Sequence, residues 1–266
     1  MESNTGKPFA MDVHAGSGAK RFVTLKRRTD DDAEAANEAD DYETVFARDR
    51  HVYEVLLPEK TTRLYLDLEC PWSAGVVRVR EIVDGVREFA GNRPQFERAI
   101  VLQSHRPGTK YSYHVIFPDA TFADVATDMR FFVLSFVAWM TERYPLVKLF
   151  YDKTSTSKTL TKTSSTSTNS TTTSTSSNST TTATVRTKRK CDVDTRVYTR
   201  NRNFRLLGQS KLSDALDKRV RLSFASNDDL IALGFAADAV VCACKVPHLT
   251  ILQAGGAVAV EPSVTS

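Results

Sequence analysis

The sequence predicts a mixed α/β (α+β) fold, and three observations carry that prediction. Between residues 63 and 117 the pattern runs strand, helix, strand, strand. A long, strongly apolar helical stretch follows, "TFADVATDMRFFVLSFVAWMTERY". Beyond a polar tract, strand-like runs return as "CDVDTRVY", "NFRLLGQSK" and "RVRLSFA".

Taken in order, residues 1–44 are mixed. The basic "KRFVTLKRR" precedes the acidic "DDDAEAANEADDYE", which reads as a solvated helix or linker because it has little apolar surface to anchor it. The first clear strand is "RLYLDLEC" (63–70). Alternation puts Tyr65, Asp67 and Glu69 on one face and Leu64, Leu66 and Leu68 on the other. In "VVRVREIVDGVREFA", Val79, Ile82, Val83, Val86 and Phe89 recur at helical spacing. "RAIVLQS" (98–104) and "YSYHVIF" read as strands joined by a turn on Pro107 and Gly108. The long helix takes Thr121 as its N-cap and stops at Pro145, and a short strand, "VKLFY", follows.

Residues 154–187 are almost all Thr, Ser and Asn. Such a tract cannot bury enough apolar area to offset its ordering entropy, so it reads as a disordered insertion in a surface loop. Two short helical patterns occupy about 227–245, and the final "AGGAVAVEPSVTS" reads as an unanchored tail. The expected organisation is a variable, partly disordered N-terminal region over 1–44, a core over 45–250 interrupted by 154–187, and a tail over 251–266.

Length allows one large domain or two small ones, and 41% hydrophobic with 26% charged residues is globular composition. A net charge of +4 argues only weakly for a polyanionic partner, so local clusters must make that case. Cys70, Cys191, Cys242 and Cys244 have no disulfide-framework density and no C-x-x-C pair, which points to a reducing compartment. Cys242, Cys244 and His248 lack the usual zinc spacing and read as a buried apolar segment. No membrane span or secretory leader is expected.

Three strands share one design, an apolar face backed by unusual polar residues. The first holds Asp67 and Glu69, the second Lys110, Ser112 and His114, and the third Asp192 and Asp194, followed by the basic "TRNRNFRLLGQSK". Singly, each has a bland reading as a solvated face, a hydrogen-bonded histidine or a charged edge. If the faces converge, Asp67, Glu69 and Asp194 form an all-oxygen cluster that suits hard divalent ions. Ser112, His114, Lys110 and the arginines would then face a triphosphate.

In that order, "LYLDLE", "KYSYH" and "VDTRVYTRNRNFRLLGQSK" resemble the D-x-E, S-x-H and hydrophobic-Asp motifs of the archaeo-eukaryotic primase superfamily. The third block is particularly similar to the eukaryotic PrimPol (primase-polymerase) branch, and the resemblance covers roughly residues 45–250. It implies an RRM-like module packed on a second α/β module, with the active site in the cleft. It also implies metal ligation by Asp67, Glu69 and Asp194, with Asp192 the register competitor, and catalysis with Mn²⁺ or Mg²⁺. Lys110, Ser112, His114, Arg202, Asn203, Arg205 and Lys211 would bind the nucleotide, and Arg50 the template.

The implied activity is template-dependent addition of (d)NTPs to a DNA primer, with priming and damage tolerance as family roles. The implied partners are template-primer DNA, dNTP or NTP and a single-stranded-DNA-binding protein, and the implied location is the nucleus or the mitochondrion. The zinc module of that branch is absent from this sequence, so no zinc is expected and extension is better supported than priming. Two rivals stay open: a single-stranded nucleic-acid-binding module without catalysis, and an end-joining or plasmid-type primase-polymerase.

Overall fold

The leucine face of the "RLYLDLEC" strand decides where the core lies. The computed structural model describes residues 7–13, 19–25, 51–58, 60–72, 78–147, 149–160, 181–212, 220–235 and 252–253. In it Leu64, Leu66 and Leu68 are fully buried. The strands are β1 (Lys7–Asp12), β2 (Lys20–Leu25), β3 (Val52–Leu56), β4 (Thr62–Pro71), β5 (Ile100–Gln103) and β6 (Lys110–Phe122). They continue with β7 (Phe150–Leu160), β8 (Thr181–Cys191), β9 (Arg202–Arg205) and β10 (Ser223–Phe224). The helices are α1 (Val79–Phe89), α2 (Arg130–Arg143) and α3 (Asn227–Ala232). The chain divides into two units, residues 1–149 with 192–266, and residues 150–191.

The first unit contains two antiparallel sheets, and the fold is mixed α+β. One sheet has the order β10-β5-β6-β4. Both β4 and β5 run antiparallel to β6, which lies between them, so they are parallel to each other and α1 forms their crossover. The β-α-β-β reading of 63–117 therefore matches these elements. Helix α1 buries Val79, Ile82, Val83 and Val86, one face of a 3.6-residue period. Gly85 lets α2 come close, because a Cβ there would lie 2.6 Å from the Met140 sulfur. Phe96 ties the helices to the sheet, standing 6.3 Å from Phe117 of β6 and stacking at 5.6 Å on Phe132 of α2.

The second sheet has the order β2-β1-β3-β9, with Ala10, Tyr53 and Val55 at its core. Strands β1 and β2 come from the N-terminal region expected to be variable and partly disordered. Phe204 of β9 joins the sheets by packing at 4.7 Å on Tyr65 and 4.5 Å on His114.

Several boundaries differ from expectation. Strand β6 runs on through Thr121 to Phe122, so the helical stretch is capped by Asp124, whose carboxylate accepts from the Ala126 and Thr127 N–H groups. A π-helical turn, Val125–Met129, then leads into α2. "CDVDTRVY" is not a strand throughout: Val193 makes a single bridge and Thr195–Val197 is a 3-10 turn. Of "RVRLSFA" only Ser223–Phe224 is strand. The second helical pattern of 227–245 lies outside the described residues, as do Cys242, Cys244 and His248.

The expected tail at 251–266 needs correction at its start. Leu252 and Gln253 are buried. The Glu54 carboxylate accepts from both of their N–H groups at 2.7 Å, and the Arg63 N–H donates to the Leu252 carbonyl at 2.8 Å. Gln253 Nε2 also donates to the Leu57 carbonyl at 2.7 Å and to Thr62 Oγ1 at 3.0 Å. An apolar leucine beside a buried glutamate is held because every backbone group nearby needs a partner.

In the second unit, β7 and β8 pair antiparallel in unbroken register from Phe150↔Cys191 to Leu160↔Thr181. The flanks of the Thr/Ser tract are thus strands, where lack of regular structure was expected. Pairing uses backbone groups, and β-branched threonines favour extended conformations, so an apolar face is not required for it. Residues 161–180 lie outside the described set.

Glu54→Ala would leave two buried N–H groups without their acceptor. It should lower stability by about 2–4 kcal/mol, read as a lower urea midpoint, with Glu54→Gln falling between it and the natural protein.

Candidate functional site

Strand β4 is paired on both edges, and this builds the site. On one side the register with β6 sets Asp67 opposite His114, Glu69 opposite Ser112, and Pro71 opposite Lys110. On the other side Leu68 bridges Val193. The Glu69 N–H donates to the Asp192 carbonyl and the Asp194 N–H to the Asp67 carbonyl, both at 2.8 Å. Asp194 therefore arrives directly across from Asp67, although about 130 residues separate them in the chain. Asp67, Glu69, Lys110, Ser112 and His114 line one sheet face, as alternation requires.

The turn after Asp194 is held in place. Tyr65 OH donates to the Val197 carbonyl at 3.0 Å, and Tyr198 OH donates to the Tyr65 carbonyl at 2.8 Å. Both tyrosines are fully buried, and their rings lie 5.2 Å apart. Asp194 caps the turn, and the Arg196 guanidinium grips its carboxylate with two hydrogen bonds of 2.9 and 2.8 Å.

The electrostatics record the crowding. Burial, with the negative charges of Glu69 and Asp194, pushes Asp67 up to about 6; Lys211 and Lys110 oppose the rise. Glu69 forms an ion pair with Lys110. His114 Nε2 stands 3.8 Å from Asp67 Oδ1. Burial and the charges of Arg205, Lys211 and Lys110 hold His114 well below the usual histidine range, so it is neutral at pH 7. Asp67 Oδ1 and His114 Nδ1 are buried without a hydrogen-bond partner among the described residues.

A basic wall faces these groups. Arg205 is buried and donates from Nη2 to Ser104 Oγ at 2.6 Å; Ser104 Oγ is 3.5 Å from Ser112 Oγ. Burial, then Arg205 and Lys110, lowers the pKa of Lys211, while Glu69 and Asp67 pull it back. Arg202 is exposed on β9, and its charge reaches Tyr65. Asn203 is half-buried at the register position of Val55. Arg50 lies outside the described residues. Asp192, the register competitor of Asp194, lies across from Glu69 in the same pairing, and burial together with its charge raises the pKa of the Cys70 thiol.

Among the described residues, no three His, Cys, Asp or Glu side chains already stand at metal-ligand spacing. Three carboxylates share one strand pairing, Asp67 keeps an unpartnered oxygen, and Lys110 and Arg196 now supply the positive charge at the other two acids.

No family model matches the chain. It is 24% identical over 233 residues, 81% of its length, to a protein of Ostreid herpesvirus 1 (isolate France) named "Putative primase". The chain spans 17% of the length of that relative.

Sequence pattern missed Ser104, Arg196 and Phe204 as parts of the site. Arg196 had a weak local signal, two residues beyond Asp194 in a turn. Ser104 and Phe204 had none, since their roles depend on which strand faces them.

Tyr65→Phe should remove one of the two hydrogen bonds that the buried Val197 carbonyl accepts, leaving the Thr199 N–H at 3.1 Å, and cost about 0.5–1.5 kcal/mol in urea unfolding. The pH response of Asp67 has a definite sign. Its folded pKa, about 6, lies above the unfolded value, so its ionisation destabilises the fold as pH rises from about 4 to about 6. Metal-free Asp67→Asn should exceed the natural protein in stability at pH 7 by up to about 3 kcal/mol, and the gain should vanish below about pH 4. Thermal midpoints measured in EDTA across that range check this.

Proposed function

We propose that this chain is a template-dependent nucleotidyltransferase that adds (d)NTPs to a DNA primer, of the primase-polymerase kind and nearest in motif to the eukaryotic PrimPol branch. The observation that supports this most is the placing of Asp194 opposite Asp67 in a β4 pairing that also presents Glu69, His114 and Ser112. Similarity to a herpesvirus protein named as a primase points the same way.

In this reading Asp67, Glu69 and Asp194 hold Mn²⁺ or Mg²⁺, which when bound polarises a primer hydroxyl and neutralises a leaving pyrophosphate. Glu69 and Asp194 must first exchange Lys110 and Arg196 for that ion. The released Lys110, with Lys211 and Arg205, offers positive charge to the triphosphate. His114 meets the phosphates as a neutral imidazole, donating one N–H, and Ser112 adds a hydroxyl beside it. Ser104 keeps the Arg205 guanidinium turned toward that wall. Arg202 and Asn203, consecutive on β9, are the remaining candidates for the sugar and outer phosphates.

One observation favours the rival reading of a binding module without catalysis. Lys110 and Arg196 already neutralise two of the acids, so the fold does not require a metal. Binding of single-stranded DNA that persists in EDTA, with no incorporation in Mn²⁺ or Mg²⁺, would select that rival.

Extension of a primed template decides the main reading. The double variant Asp67→Ala, Glu69→Ala should lose at least about 1,000-fold in incorporation rate, as for loss of a metal site. It should also lose Mn²⁺ binding in calorimetry while keeping its fold. Unchanged extension by the folded double variant would rule the mechanism out.

A further inference from the structure

Trp72 follows Pro71, the last residue of β4, and its position on that strand puts it on the face opposite the acids. Its indole stacks on Tyr111 with centroids 4.2 Å apart and planes 12° from parallel. The Trp72 N–H donates to the Thr109 carbonyl at 3.1 Å, which fixes the backbone beneath the ring. Tyr111 is braced in turn by His105, whose ring meets it edge-on at 5.5 Å and meets Tyr113 at 4.4 Å. Tyr111, itself braced by His105, thus supports the indole, while Trp72 remains 37% exposed.

A cross-strand aromatic pair can exist only to steady a strand end. That role is served best when both faces of the ring are covered. Here one face lies on Tyr111 and the residue keeps over a third of its surface in solvent. The adjoining hairpin, residues 104–110, carries Arg106 and contains no acid, while its Lys110 belongs to the other face, where it pairs with Glu69. A parallel stack that can grow by one more ring, beside a turn with positive charge, suits an unpaired nucleobase flanked by phosphates. Bases within a duplex are already covered on both faces, so the match is to a single strand.

We propose that Trp72, backed by Tyr111, is a stacking platform for one base of a single-stranded nucleic acid. The choice of ligand rests on the reading of the chain as a polymerase. Because the platform lies across the sheet from Asp67 and Glu69, the base it holds belongs to the template strand away from the reacting nucleotide. It is a grip on the template, separate from the nucleotide pocket.

The chain has two tryptophans, so Trp139→Phe leaves Trp72 as the sole indole reporter. Titrating that variant with a short oligodeoxythymidylate in EDTA should quench its emission in a saturable way. Trp72→Ala in the natural chain should weaken oligonucleotide binding by about 10- to 100-fold, the range for losing one base–aromatic stack. Trp72→Phe should recover part of the loss. Unquenched Trp72 emission at saturating oligonucleotide, or equal binding by folded Trp72→Ala, overturns the proposal. Quenching without any primer extension by the natural protein would sink the polymerase reading alone. Extension without quenching would sink the platform alone.

Discussion

Two backbone hydrogen bonds along the edge of β4 that faces away from β6 hold the candidate site together: Glu69 N–H to the Asp192 carbonyl and Asp194 N–H to the Asp67 carbonyl. Without them Asp194 would belong to a distant segment with no reason to approach Asp67. With them, acids that repel one another are brought to neighbouring positions. The buried hydroxyls of Tyr65 and Tyr198 lock the returning segment against β4, and Phe204 packs over the same tyrosine. Burial, and after it that crowding, raises the pKa of Asp67.

The cationic groups answer the acids at two levels. Lys110 and Arg196 form ion pairs with Glu69 and Asp194. Arg205 and Lys211 stand further back, and with burial they keep His114 neutral. A neutral imidazole next to a protonated lysine and a guanidinium can approach phosphate oxygens without adding charge to an already basic wall. The same groups would repel one another in an empty pocket, so acids and bases here stabilise each other's placement as well as any ligand.

Away from the site, Glu54 does comparable work for the fold. It draws Leu252 and Gln253 into the space between β3 and the start of β4, so the two sheets share a polar fastening as well as the Phe204 contact. A buried carboxylate that accepts two backbone N–H groups satisfies needs on both partners at once. It also fixes the start of the strand that carries Asp67 and Glu69.

The sequence by itself determined what local rules control. Alternation in "RLYLDLEC" separated the leucines from the acids, and the 3.6-residue repeat of Val79, Ile82, Val83 and Val86 marked α1. Gly108, at φ +71, made the 104–110 turn legible. The order of the motifs also named Asp67, Glu69, Ser112, His114 and Asp194 together, because each sits in a short pattern with its own chemistry. Only the tertiary structure decided the rest. Nothing local says that β1 pairs with both β2 and β3, that Leu252 and Gln253 are buried, or that Asp124 caps the helical stretch in place of Thr121. The same is true of Asp194 facing Asp67, and of Arg205 reaching Ser104. Those outcomes depend on which segment lies beside which, and strand pairing between distant residues is set by the packing of the whole sheet.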